Sequence, residues 1–244
     1  MREMINVLDV NIEHCSAKQA LKAAVEYMDT PATSVIDLVT IEALMYARDD
    51  QDYREAIEQS DLVLPGQKDI LEAAGITDSR SMREIESQTF LRLWLKYLHR
   101  NHCRVYLLVE TDEEVDELTG CLTEEYRGIA IVGAAKVAPG TEADDMLVNA
   151  INGGEADCVI AILTPPVQEQ FIARNRSQIN TRVWLGAGKL MEFAYRQKSG
   201  KGKVMTFLDR MLFRREIEKK QKRILRCKIC GLGLKRDLYT MYRR

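Results

Sequence analysis

Proline is scarce, with five in 244 residues, and no Gly/Ser-rich linker or low-complexity tract interrupts the chain. No internal repeat of fixed period is visible, which argues against solenoid and array architectures. No apolar run reaches the roughly 18 residues that cross a bilayer as a helix. The first residues, MREMINVLDVNIEH, carry charges where a secretory signal would be apolar. The expectation is a chain that starts and stays in the cytoplasm. Four familiar signatures are also missing: there is no Walker A motif, no HExxH, no GxSxG and no GxGxxG.

The six cysteines are too dispersed for a disulfide framework. Cys15, Cys103, Cys121 and Cys158 stand mostly beside apolar runs and read as small, reduced hydrophobes. Cys227 and Cys230 form a CxxC with no second ligand pair nearby, and His99, His102 and Cys103 are the other cluster. A zinc site needs more than this, so no metal is expected.

What is present is a globular composition, 46% hydrophobic and 30% charged, long enough for one large domain or a domain with an appendage. The net charge of −2 hides a split. From Lys198 to Arg244 there are 16 Lys or Arg against 4 Asp or Glu, a net of +12, and the rest of the chain carries −14. This divides the chain into a body, 1–197, and a basic appendage, 198–244. Such a tail meets an anionic membrane surface, a nucleic acid or the acidic body itself. KVMTFLDRMLFRREIEKKQKRILR puts Val204, Phe207, Leu208, Met211 and Leu212 at helical spacing among basic residues. That pattern suits a helix lying in the membrane interface, with Arg210, Arg214, Arg215, Lys219 and Lys220 facing anionic lipid. No aromatic-interleaved reading motif accompanies the charge, so nucleic acid is not the expected partner.

In the body, short apolar runs alternate with helical patterns. INVLDVNI, SVIDLVT, DLVLP, RVYLLV, IAIVGAA, CVIAIL and VWLGAG read as strands, most of them covered on both faces. Helical patterns run from Ala17 to Asp29, Glu42 to Gln59, Phe90 to Asn101, Asp112 to Tyr126, Thr141 to Asn152 and Val167 to Gln178. The alternation predicts an α/β fold with a parallel sheet between helix layers. Ligands of such sheets bind beyond the carboxyl ends of the strands. Attention therefore falls on Thr40, on Gly66 to Asp69, on Val109 to Thr111, on Leu163 to Glu169 and on Gly186 to Lys189.

In TPPVQEQFIARN, Pro165 and Pro166 bend the chain out of a strand and open a helix, placing Gln168 and Glu169 in its first turn. A Gln there can cap the helix or bond a sugar or a uracil. VTIEALMYA puts Thr40 at a strand end and Glu42 at a helix start. LGAGKLMEF supplies Gly186 and Gly188, which let a ligand approach the backbone, and then Lys189.

The ordered set VT…ALMYARDD…SDLVLP, CRVYLL, GIAIVG, PVQEQFIARNRSQI and LGAG resembles the WecG/TagA/CpsF family of bacterial glycosyltransferases, from about Ile5 to about Phe193. The resemblance implies a Rossmann-like sheet flanked by helices with a C-terminal appendage. It implies inverting transfer of an N-acetylhexosamine-type sugar from a UDP donor to an undecaprenyl-diphosphate-linked sugar, without a metal or other cofactor. The products belong to teichoic-acid or surface-polysaccharide synthesis, at the inner face of the membrane, and self-association suits the type. Thr40, Gln168 and Glu169 match family positions, and Arg83 matches an acceptor-side arginine. The departures are equally specific. DLVLP is followed in the family by the Asp read as general base, and here by Gly66, Gln67, Lys68 and Asp69. Val109 and Glu110 replace family glycines, and Ile162 to Thr164 replace a Gly-Leu-Gly. Asp69 or Glu42 is then the expected substitute base, with Gln67, Lys68, Gly186, Gly188 and Lys189 lining the substrate site. The alternative is a non-catalytic member that binds or scaffolds at the membrane.

Overall fold

Leu8 and Asp9 both have positive φ, 51° and 68°. That is the backbone of a two-residue hairpin turn. INVLDVNI is therefore two antiparallel strands, β1 (Glu3–Val7) and β2 (Val10–His14), rather than the single strand its apolar content suggests. The structure, a computed structural model, describes residues 3–137, 144–192 and 210–223. Two compact units divide at Lys201/Gly202. The boundary expected at 197/198 and the Cys227/Cys230 pair lie outside the described residues.

After the hairpin, Ser16 caps α1 (Ala17–Met28), and its reciprocal hydrogen bonds with Gln19 form a capping box. Then follow β3 (Ser34–Val39), α2 (Ile41–Asp49), α3 (Gln51–Glu58), β4 (Leu62–Pro65), α4 (Lys68–Ala73), α5 (Ser79–Glu86) and α6 (Thr89–Arg100). The second half comprises β5 (Arg104–Val109), α7 (Asp112–Glu125), β6 (Ala130–Lys136), α8 (Asp144–Gly153), β7 (Cys158–Ala161), α9 (Val167–Asn175) and β8 (Val183–Gly186). One helix was expected from Glu42 to Gln59. Two are present because Asp50 adopts an extended conformation, ends α2 and caps α3 by accepting from Tyr53 N–H at 2.9 Å.

The main sheet is parallel, six strands in the order β4-β3-β8-β7-β5-β6. Alternate residues serve opposite faces. Ile36, Leu38, Val105, Leu107, Ile160 and Leu185 pack under α1, α6 and α7 with Trp94 and Leu118. Val35, Tyr106, Leu108, Val159 and Trp184 pack under α8 and α9 with Ile151 and Phe171. Coverage on both faces explains why these strands are nearly continuous in apolar residues. The described part of the second unit is a helix over 210–223, in which Met211 and Leu212 are exposed. Among the described residues no helix is long and apolar enough to cross a membrane.

Candidate active site

Asp37 breaks the apolar run of β3 on the face covered by α9, and it is 1% exposed. The strand register sets it beside Gly186 of β8, which in turn pairs with Ala161 of β7. These small neighbours leave a notch that takes the carboxyl group and the first turn of α9. A Cβ on Gly186 would collide with Asp37 Oδ1 and lie 2.5 Å from Gln168 Nε2. Ser60 Oγ donates to Asp37 Oδ2 at 2.9 Å, and Gln168 Nε2 approaches Asp37 Oδ1 at 3.4 Å and Glu169 Oε1 at 3.3 Å. Gln168 Oε1 accepts from Gly188 N–H at 3.1 Å. Gln168 and Glu169 are therefore buried, inward-facing groups and not exposed caps.

Burial pushes the carboxyls of both Asp37 and Glu169 well above the ordinary range, and the charge of Asp37 raises Glu169 further. The two behave as a unit that keeps a proton near neutral pH. Burial and the neighbouring carboxylates also push the Tyr53 hydroxyl upward. The Tyr53 hydroxyl and Glu169 Oε2 are both buried and make no hydrogen bond of ordinary geometry.

The other expected site residues surround the rim. Thr40 caps α2, accepting from Ala43 N–H at 3.2 Å, and Glu42 is exposed in the first turn. Gln67 Oε1 accepts from Ile41 N–H at 2.8 Å, which ties the exit of β4 to that of β3. Lys68 pairs with Glu86, and this carboxylate holds its ammonium above the usual value. Asp69 is buried in the first turn of α4, and Arg83 is exposed on α5. Gly66 N–H donates to Val39 O at 2.8 Å. A Cβ at Gly66 would collide with Leu190 Cδ1 and stand 2.8 Å from Val39 O, so no side chain fits there as the chain is arranged.

Across the rim, Lys189 Nζ lies 2.8 Å from both Glu110 Oε2 and Glu114 Oε1. Glu114 Oε2 accepts from Glu110 N–H at 3.0 Å, and Thr164 N–H donates to Glu110 Oε1. Burial alone would raise Glu110, but the hydrogen bonds from Lys189 and Thr164 outweigh it and hold the carboxyl below its ordinary range. The replacement of expected glycines by Val109 and Glu110 thus does more than narrow a pocket: it links the exits of β5, β7 and β8.

Sequence reasoning missed Asp37, Tyr53 and Glu114. Asp37 carried a readable signal, a carboxylate inside a strand otherwise read as covered on both faces. Arg174 and Asn175, next to the Gln-Glu pair, bond Asp144 at 3.0 and 2.8 Å and fasten α9 to α8. His99 Nδ1 accepts from Gly128 N–H at 2.7 Å, and among the described residues no group of three or more His, Cys, Asp or Glu is placed to hold a metal.

A sequence model described as "Glycosyl transferase WecG/TagA/CpsF family" matches residues 5–205, and the chain belongs to that family. Among characterised relatives it is similar to the N-acetylglucosaminyldiphosphoundecaprenol N-acetyl-beta-D-mannosaminyltransferases of Staphylococcus aureus strains NCTC 8325 / PS 47 and COL. Each is 23% identical over 193 residues, covering 77% of this chain and 74% of the relative. The protein of strain MRSA252 aligns at the same 23% identity.

Two outcomes are expected. Gly66→Asp should cost about 1–3 kcal/mol through overpacking. In a Leu190→Ala background it should cost less by at least about 0.5 kcal/mol. Urea midpoints of the four proteins measure this, and strict additivity would clear Leu190 as the obstacle. The second concerns pH. Because the folded carboxyls of Asp37 and Glu169 are raised, the native state holds more protons than the unfolded chain above about pH 4. Their contribution to stability is complete below that value and is lost as pH rises through the raised values. Glu169→Gln should flatten this decline, and its stability relative to wild type should improve by roughly 1–3 kcal/mol between about pH 5 and pH 8.5. Parallel pH profiles of the two proteins would contradict the assignment.

Proposed function

We propose that this family member transfers an N-acetylhexosamine-type sugar from a UDP donor to a lipid-diphosphate-linked sugar at the inner membrane face. The observation that carries the reading is the family match, which spans every strand of the parallel sheet and includes the Gln168-Glu169 pair at its carboxyl end. The relatives' name specifies an N-acetylglucosaminyl-diphosphoundecaprenol acceptor and a mannosamine-type sugar, and we carry the acceptor class to this chain.

In the proposed reaction a carboxylate takes the proton of the acceptor hydroxyl. The oxygen then attacks the anomeric carbon from the face opposite UDP, and UDP departs with the bonding pair. Glu42 is exposed beside Thr40 at the sheet rim, whereas Asp69 is enclosed. Glu42 is therefore the better placed of the two to reach a bound acceptor. Lys189, and across the rim Lys68, supply positive charge for the leaving diphosphate, so no metal is needed. Gln168 supports the reading from beneath, holding the turn at Gly188 through a charge-neutral hydrogen bond.

The appendage brings the enzyme to its acceptor. Exposed Met211 and Leu212 lie among Arg210, Arg214, Arg215, Lys219 and Lys220, a mixture that suits an anionic leaflet. One observation favours a second reading, a member that binds without turnover: Leu190 fills the space at Gly66 where the expected base would stand.

Release of UDP from UDP-N-acetylhexosamines with a lipid-diphosphate-N-acetylglucosamine analogue tests the assignment. Glu42→Ala should lower turnover by about 10²–10⁴-fold, the usual yield of a positioned base. Turnover that survives both Glu42→Ala and Asp69→Ala would remove the substitute-base mechanism. Neither UDP binding nor turnover with any sugar would favour the non-catalytic reading. For the appendage, replacing Arg210, Arg214 and Arg215 by Ser should weaken flotation with anionic liposomes by about 100-fold, at roughly 1 kcal/mol per basic residue. Unchanged flotation would sink the membrane assignment.

A further inference from the structure

The short turn Gly188–Met191 that follows β8 is fastened at three successive residues, and its fourth, Met191, is fully buried in the core. Gly188 N–H donates to Gln168 on α9. Lys189 pairs with Glu110 beyond β5 and with Glu114 on α7. Leu190 rests on Gly66 beyond β4. These attachments carry the turn over the carboxyl edge of the sheet, the place where α/β folds take their ligands.

The attachments differ in kind. Leu190 against Gly66 is an apolar seat, and half-exposed side chains leave such seats at modest cost. The Lys189 clasp is ionic. Glu114 is almost fully buried, with a side chain 4% exposed, so its charge requires a partner, whereas the Glu110 side chain is 24% exposed and the Lys189 side chain 33%. Lys189 is a flexible ammonium that acts as a point charge and can exchange one oxygen partner for another without a fixed fork geometry. Glu110 is therefore the partner that an incoming anion can replace, while Glu114 retains the ammonium.

We propose that Lys189 and Leu190, the partly exposed residues of the Gly188–Met191 turn, form a lid over the sheet edge that moves between the buried anchors Gly188 and Met191, clasped by Lys189 on Glu110 and seated by Leu190 on Gly66. A diphosphate-bearing ligand opens it by drawing the Lys189 ammonium away from Glu110. For the identity of that diphosphate the inference rests on the UDP-donor reading above. Glu110 then sets specificity: its carboxylate competes with the ligand for Lys189, so a neutral sugar or a monoanion leaves the clasp closed.

Hydrogen exchange on the full-length protein, followed in peptides covering residues 186–192, reads the lid directly. Glu110→Gln removes one charge of the clasp and leaves Glu114 on Lys189, and Leu190→Ala removes the seat. Either change should speed exchange there by at least about threefold while β3 and β5 stay protected. In calorimetry, Glu110→Gln should tighten binding of UDP and of inorganic pyrophosphate by about three- to tenfold. Unchanged exchange in both variants overturns the lid. Faster exchange with no gain in affinity for UDP or pyrophosphate overturns the diphosphate as its opener. If Glu110→Gln tightens both ligands and wild type still transfers no sugar to the acceptor analogue, the lid stands and the transferase reading falls instead.

Discussion

The carboxyl end of the sheet is organised by one constraint, the burial of Asp37. A carboxyl group in the middle of a covered strand is costly unless it is hydrogen-bonded or neutralised. Here a hydroxyl from Ser60 and an amide from Gln168 serve it, and the same amide approaches a second buried acid, Glu169, whose carboxyl is raised by burial and by the charge of Asp37. Ser60 follows α3, whereas Gln168 and Glu169 open α9, so the partners come from opposite halves of the chain. The notch left by Gly186 admits the carboxyl, α9 must begin where Gln168 can reach it, and the other end of the same amide holds Gly188. A slip in any one of these contacts would leave a buried acid unanswered, so the constraint fixes strand register, helix start and loop exit together.

From that anchor the rim follows outward. Gln168 fixes the backbone at Gly188, and the next two residues then point to opposite sides of the edge, Lys189 toward Glu110 and Glu114, Leu190 toward Gly66. The exits of β5, β7 and β8 become electrostatically joined, while the exits of β3 and β4 are joined by Gln67 on Ile41 N–H and by Gly66 on Val39 O. The site therefore has a rigid floor, made of buried hydrogen bonds, and a more exchangeable upper layer made of one ion-pair clasp and one apolar contact. Such a layering suits a ligand that must be enclosed during reaction and released afterwards.

Much of this was legible from residue order. Apolar runs alternating with helical patterns gave the parallel sheet, and the Gln-Glu block following two prolines gave the helix start beside its edge. The hairpin at Leu8 and Asp9 was not legible, because Leu-Asp is not a usual turn pair and the positive φ of Leu8 is imposed by the strands around it. The break at Asp50 was hidden for a related reason: the apolar periodicity of α2 and α3 continues across it, and the extended backbone of this one residue, with its cap hydrogen bond from Tyr53, separates them. Asp37 was visible as a letter but not as a site, since its meaning depends on Gly186, 149 positions away and adjacent only through strand register. Lys189 and Glu110 were both expected at the rim, but their pairing and the part of Glu114 were not legible, because α7 reaches the rim only through the parallel crossover from β5.

The loss of the expected acid at Gly66 and the retention of Gln168 and Glu169 have different physical standing. Gln168 and Glu169 belong to the buried network, so replacing them disturbs the fold before it disturbs chemistry. Position 66 lies at a strand exit, where only the space beside Leu190 and Val39 O limits what can be accommodated. A positioned base contributes about 10²–10⁴-fold in rate, which is roughly 3–5 kcal/mol of transition-state stabilisation. On the proposed reading, losing such a base slows transfer without removing the contacts that would hold the substrates. On the proposed transferase reading the proton acceptor is a carboxylate at the exposed rim, and Glu42, beside Thr40 in the first turn of α2, is such a carboxylate.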